Sequence, residues 1–200
     1  KKYMNINPKV LTFIKKNNNM ITTSQMEKLG FTRSLLSVYE KEGLLERERH
    51  GIYLLPDAVP DDMYTLMLCS AKIIFSHDTA LFLNQLSDRT PFEHSVTIPS
   101  NTKLSKQLQE ECICYYIKPE LYKLGEINLK TTFGNVVRTY NAERTICDLL
   151  RSRSRLDEET VIGAVKRYAE STDKNLNLLS EYASQLGVSK IVKRYMEVLL

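Results

Sequence analysis

Four side chains at helical spacing, Arg33, Ser34, Ser37 and Lys41, carry the first chemical signal in this sequence. Placed at 100° per residue with Arg33 as zero, they fall between roughly 0° and 100°, whereas Leu35, Leu36 and Tyr39 fall between roughly 200° and 300°. The polar arc holds two cations and two small hydroxyls and no carboxylate. Arginine reads guanine edges and small hydroxyls allow close backbone approach, so such a face has the chemistry to enter a DNA major groove. A second group follows: Arg47 and Arg49 alternate with Glu46 and Glu48, and His50-Gly51 precedes the apolar run Ile52-Tyr53-Leu54-Leu55. A hairpin here leaves Arg47, Arg49 and His50 near its tip, positioned for phosphates or the minor groove.

The surrounding residues specify the elements that would hold these groups. Thr22 with Gln25 three residues on forms a capping-box pattern, and Gly30 ends that helix after Leu29. Thr32 is expected to cap the next helix, which runs to about Glu42 and stops at Gly43. Upstream, Pro8 to Lys16 reads as a helix with proline in its opening turn, ended by Asn17 to Asn19. Three helices and a charged hairpin have the layout of a winged helix-turn-helix closing near Pro56. Pro56-Asp57-Ala58-Val59-Pro60 reads as a linker, so residues 1–59 are expected to form a DNA-binding domain and residues 60–200 a second one. Charge agrees: residues 1–60 contain ten Lys or Arg against six Asp or Glu, and residues 61–200 contain eighteen of each. The whole net charge of +4 thus resides in the N-terminal part, as an electrostatic footprint for nucleic acid requires.

After the linker, Asp61 to Lys72 and Ser76 to Leu86 read as helices, the second capped by Ser76. From Ser95 the period changes to that of strands: Ser95–Ile98, Cys114–Ile117, and a hairpin of 127–132 with 136–140 around Phe133-Gly134-Asn135. About four strands with one face wet are expected, paired antiparallel or mixed. Asn141 caps a helix from Ala142 to about Ser152, and Asp157–Ser171, Leu176–Leu186 and Ser189–Leu200 complete the chain as helices. The fold class is α+β, with a winged helix-turn-helix followed by a mixed domain. In the last helix Lys190, Lys193 and Arg194 lie within about 100° of one another, a possible second basic surface.

Other chemistry is weaker. Cys112 and Cys114 share a strand face, but no second pair lies near to complete a zinc site, and the four cysteines read as reduced and intracellular. His77-Asp78 at a helix start is expected to serve capping and solvation, with no nucleophile spaced to join it. Glu143, Arg144 and Asp148 could present a carboxylate pair, but are expected to knit their helix to the sheet. No phosphate loop, metal-spaced set or nucleophile elbow is present, so no catalytic residue, metal or cofactor is expected. No apolar run approaches a membrane span and the first ten residues lack the core of a signal peptide, which leads to a cytoplasmic expectation.

Three stretches taken in order resemble the AbiEi-type antitoxins of bacterial abortive-infection toxin–antitoxin systems: G-L-L-E-R-E-R-H-G-I-Y-L-L-P at 43–56, S-H-D-T-A-L-F-L at 76–83, and Y-N-A-E-R-T-I-C-D-L-L at 140–150. The resemblance implies an autorepressor that binds inverted repeats in its own promoter. It also implies a C-terminal antitoxin domain that opposes a nucleotidyltransferase-like toxin without a stable complex, the type IV arrangement. On that pattern DNA contacts fall on Arg33, Ser34, Ser37 and Lys41, with Arg47 and Arg49 on the wing, and no catalytic residue carries over. The chain is expected to be a monomer that binds double-stranded DNA as more than one copy. Two other classes stay open: a ligand-responsive winged-helix transcription factor with a polar pocket in its C-terminal domain, and a metal-dependent enzyme tethered to a DNA-binding domain, for which clustered carboxylates are lacking.

Overall fold

The computed structural model describes residues 5–200 and divides the chain into two compact units, one up to Thr65 and one from Leu66 onward. The N-terminal unit begins with α1 (Pro8–Lys16), whose N-cap Asn7 accepts from the Lys9 amide and whose Val10 and Ile14 are buried. Asn18 and Asn19 take left-handed φ values of 54° and 61° and turn the chain into β1 (Met20–Thr22), a short strand with no alternation to announce it. The expected capping box is formed in α2 (Thr23–Lys28): the Gln25 amide donates to the Thr22 hydroxyl, and the Thr22 amide donates to Gln25 Oε1.

Next comes α3 (Ser34–Lys41), which departs from expectation at its start. Thr32 does not cap it. Its hydroxyl pairs with the Ser34 hydroxyl at 2.9 Å, and Arg33 takes the N-cap position with no side-chain cap. The hairpin of β2 (Glu46–Arg49) and β3 (Ile52–Leu54) follows, with a register shift between Arg47 and Arg49. The sheet order is β1-β3-β2, all antiparallel, so β3 is central. Its residues are buried on both faces: Tyr53 joins Leu36, Tyr39 and Met26 in the helical core, while Ile52 and Leu54 pack with Met20. The division between units falls at Thr65, inside α4 (Asp62–Cys69), beyond the Pro56–Pro60 segment.

The C-terminal unit contains a five-stranded sheet in the order β6-β5-β4-β8-β7. These are β4 (Ile74–Phe75), β5 (His94–Pro99), β6 (Cys112–Ile117), β7 (Glu126–Lys130) and β8 (Val136–Tyr140). Two residues are too few to show a period, and β4 escapes sequence reading although it is the central strand. The pairs β4/β8 and β5/β6 are parallel, and β4/β5 and β7/β8 antiparallel. A parallel pair needs a crossover, which between β5 and β6 is supplied by α6 (Lys106–Glu111). The expectation of one wet face holds at the β7 edge, where Asn128 and Lys130 are exposed, and fails at β5, buried from Ser95 to Pro99.

Between β4 and β5 lies α5 (His77–Leu83), and before β7 the short α7 (Pro119–Tyr122). The central helix is α8 (Ala142–Arg151), capped by Asn141 as expected, and α5, α9 (Glu158–Glu170), α10 (Leu176–Gln185) and α11 (Ser189–Leu199) all pack on it. Together they bury Ile146, Leu149, Leu150, Val165, Tyr168 and Leu179. Gly125, at φ 79°, leads into β7; a Cβ there would lie 2.7 Å from Arg144 Cβ, so the chain needs glycine to pass this close to α8.

Candidate nucleic-acid interface

Arg33, Ser34, Ser37 and Lys41 are all exposed, on the side of α3 away from the buried Leu36 and Tyr39. The amphipathic division read from the sequence is therefore the one that folds. What the helical wheel does not show is Glu27. This residue of α2 receives Arg33 Nε at 2.6 Å and Nη2 at 3.2 Å, a forked ion pair with the two side chains 67% and 47% exposed. The hydrogen bond from Arg33 holds the Glu27 carboxyl below the usual carboxylate range. A phosphate or base edge would have to replace Glu27 as the partner of Arg33, while Lys41 is open to solvent.

On the hairpin, Arg47 and His50 are exposed and touch each other, Arg47 Nη2 lying 3.0 Å from His50 Nδ1. Arg49 is half-buried, placed by the register shift opposite Ile52. At the tip Arg47 donates to His50, which leaves one exposed guanidinium there with Arg49 drawn inward. Gly51, at φ 76°, closes the turn.

Residues 8–56, from the start of α1 to just past β3, match the family described as "Transcriptional regulator, AbiEi antitoxin". Over that segment the chain is similar to the AbiEi antitoxins. Every N-terminal candidate contact lies within it. The role it supports is that of an antitoxin or transcriptional regulator, a regulatory description and not an enzymatic one. Among solved structures, a protein of Mycobacterium tuberculosis, RV2827C, is similar with a TM-score of 0.58 at 13% identity, covering 94% of this chain and 80% of that one; this likeness is one of fold. No curated protein matches the chain.

Outside the AbiEi-type segment, Lys190, Lys193 and Arg194 are exposed on α11, with Lys193 Nζ 3.8 Å from Glu197. Among the described residues no group of three or more His, Cys, Asp or Glu is placed to hold a metal ion, and no helix is long and apolar enough to cross a membrane.

His77 is a correction. It is not a solvated capping group: the ring is 3% exposed and stacks on Tyr115 at 3.5 Å, and the backbone sits at φ 48°. Its Nδ1 lies 2.9 Å from Ser76 Oγ and its Nε2 3.0 Å from Ser152 Oγ. Thr97 Oγ1 donates to Ser76 Oγ, which extends the chain of hydroxyls around the ring. Ser76 accordingly serves this chain and makes no side-chain cap on α5. Burial, reinforced by the guanidiniums of Arg155, Arg144 and Arg151, pushes the imidazole down to about 3. Ser152 is 75 residues from His77, a spacing with no local signal, and sequence reading could not have paired them.

Arg144 and Asp148 do knit α8 to its surroundings. Arg144 Nε donates to Asp148 Oδ1 at 3.0 Å, Nη1 donates to the Leu121 and Leu124 carbonyls at 2.7 Å, and the guanidinium lies 4.1 Å from the Tyr140 ring centre. Glu143 is placed apart, near the Asn175 amide.

Proposed function

We propose that this chain is a bacterial antitoxin and transcriptional autorepressor. Its N-terminal winged helix-turn-helix, residues 1–59, reads inverted repeats in its own promoter. Residues 60–200 oppose a nucleotidyltransferase-like toxin without a stable complex. The observation that carries the DNA half is the α3 face: Ser34, Ser37 and Lys41 exposed together, Arg33 at the helix start, and the Arg47–His50 tip on the hairpin that follows. A recognition helix presents its N-terminal residues to base edges, and Arg33, Ser34 and Ser37 occupy those positions. Lys41, a turn further on, suits a phosphate. Lys190, Lys193 and Arg194 would add a second phosphate-contacting surface. The toxin partner rests on the antitoxin resemblance; the cytoplasmic setting rests on the sequence pattern, and the chain is taken to act as a monomer binding DNA in more than one copy.

The deciding experiment is operator binding by the full chain across salt concentrations, paired with growth rescue on co-expression with the adjacent gene's product. Log affinity should fall linearly with log salt, and each lost phosphate contact should reduce the slope by about one. A flat salt response sinks the DNA half; absence of rescue at matched expression sinks the antitoxin half. The ligand-responsive regulator is the second reading, favoured by a polar cavity in the C-terminal unit.

A further inference from the structure

Among the buried polar atoms of the C-terminal unit that have no hydrogen-bond partner, Arg144 Nη2 and Asp148 Oδ2 belong to one ion pair. Their side chains are 0% and 6% exposed, and both line a cavity of about 240 Å³. Buried groups of this kind are strongly unfavourable unless something satisfies them. Arg151 and Arg155 line the same cavity and are exposed, and among the described residues neither has a carboxylate within ion-pair distance. Arg155 is instead held by stacking, 4.0 Å from the Tyr115 ring centre, and by a 3.4 Å bond to the Cys114 carbonyl.

We propose that this cavity binds a small molecule through a phosphate group. Three guanidiniums against one carboxylate leave two positive charges, which a phosphate dianion balances. Planar, permanently charged arginines are the side chains best matched to its oxygens. Arg144 Nη2 supplies a donor at the floor, and Arg151 and Arg155 supply donors at the mouth. Ser152 also lines the cavity, its hydroxyl 3.0 Å from His77 Nε2. His77 stays neutral there and adds no charge. Asp148 Oδ2 requires a donor, which selects a ligand carrying a hydroxyl or a protonated phosphate oxygen. The volume lies below the roughly 300 Å³ at which drug-sized pockets begin, so a phosphate with a small body fits and a dinucleotide does not. None of this depends on the N-terminal unit binding DNA.

The test is calorimetric titration of the full chain with inorganic phosphate and, separately, a nucleoside monophosphate. Wild type is compared with Arg151→Gln/Arg155→Gln and with Lys130→Gln/Lys166→Gln, two exposed lysines that lie outside the cavity and lower surface charge equally. The exposed arginines can be removed without emptying the core, and unchanged thermal midpoints verify folding. Saturable one-to-one binding is expected, weakened at least about tenfold in the first variant and unchanged in the second, as the loss of charge-assisted hydrogen bonds requires. Tighter binding of the nucleotide identifies a phosphorylated metabolite, and equal binding identifies phosphate itself; both support the site. Equal weakening in the two variants, binding of a 5′-phosphorylated oligonucleotide alone, or no saturable binding with only water bridging Arg144 and Asp148 in phosphate-soaked crystals would overturn it.

Discussion

The N-terminal unit keeps its key arginine on the surface, and the C-terminal unit keeps its own inside. Arg33 and Glu27 form a pair 67% and 47% exposed, whereas Arg144 and Asp148 form one at 0% and 6%. The first is screened and weak in water, so a phosphate can take over the arginine at small cost. The second cannot be separated cheaply, because either partner left alone would be an uncompensated buried charge. The same residue type is thus exchangeable in one unit and architectural in the other, and solvent access decides which.

Five measurements would break or sharpen that contrast. The largest effect is expected from His77. Its folded value of about 3 lies below the ordinary 6.5, so the unfolded chain takes up the proton first as pH falls. Its contribution is therefore complete above about pH 6.5 and lost progressively towards pH 3, with an upper limit of about 5 kcal/mol. Urea midpoints at pH 7, 5 and 4 should fall steeply in wild type. His77→Asn, which tolerates the left-handed backbone, should flatten that dependence; an unchanged slope would show that other groups control it.

Arg144→Ala should cost about 3–5 kcal/mol by leaving Asp148 buried and unpaired. Much of this should return in Arg144→Met/Asp148→Leu. If the single variant stays within about 1 kcal/mol of wild type in urea, the buried pair is not architectural. On the exposed side, Lys41→Ala is expected to weaken binding to all sequences alike and reduce the salt slope by about one, while shifting stability by less than about 0.5 kcal/mol. Equal losses in binding and stability would make Lys41 part of the framework instead.

Removing the capping hydroxyl in Thr22→Ala should destabilise the N-terminal unit by about 1 kcal/mol, visible as a lower thermal midpoint. The smallest effect on stability belongs to Glu27→Gln, which releases Arg33. Operator affinity should rise and the salt slope steepen by about one, since a further cation becomes available to phosphate. Weaker binding in this variant would mean that Glu27 orients Arg33 for its contact.

Legibility followed locality. The capping box at Thr22 and Gln25, the Pro8–Lys16 helix and the Asn141 cap each involve residues within one helical turn, and each forms as read. The hairpin at 126–140 was legible because its strands alternate beside a glycine-containing turn. Errors cluster where short segments borrow their structure from neighbours. The strands at 20–22 and 74–75 exist because β3, β5 and β8 offer them hydrogen bonds, and the short helices at 106–111 and 119–122 connect strands whose order is a tertiary property. Thr32 and Ser76 both carry N-cap chemistry, yet their hydroxyls went to Ser34, and to His77 and Thr97, because a hydroxyl satisfies whichever partner packing brings near.

By itself the sequence determined the α+β class, the amphipathic division of α3, the basic bias of the first 60 residues and the AbiEi-type resemblance, since these reside in residue order and periodicity. Only the tertiary structure decided which charges remain free. It paired Arg33 with Glu27, drew Arg49 inward, buried His77 against Tyr115 and Ser152, and assembled Arg144, Asp148, Arg151 and Arg155 around one cavity. The physical reason is that a charge or hydrogen-bond donor acquires its strength and its availability from the solvent and partners around it, and for these residues the partners come from distant parts of the chain.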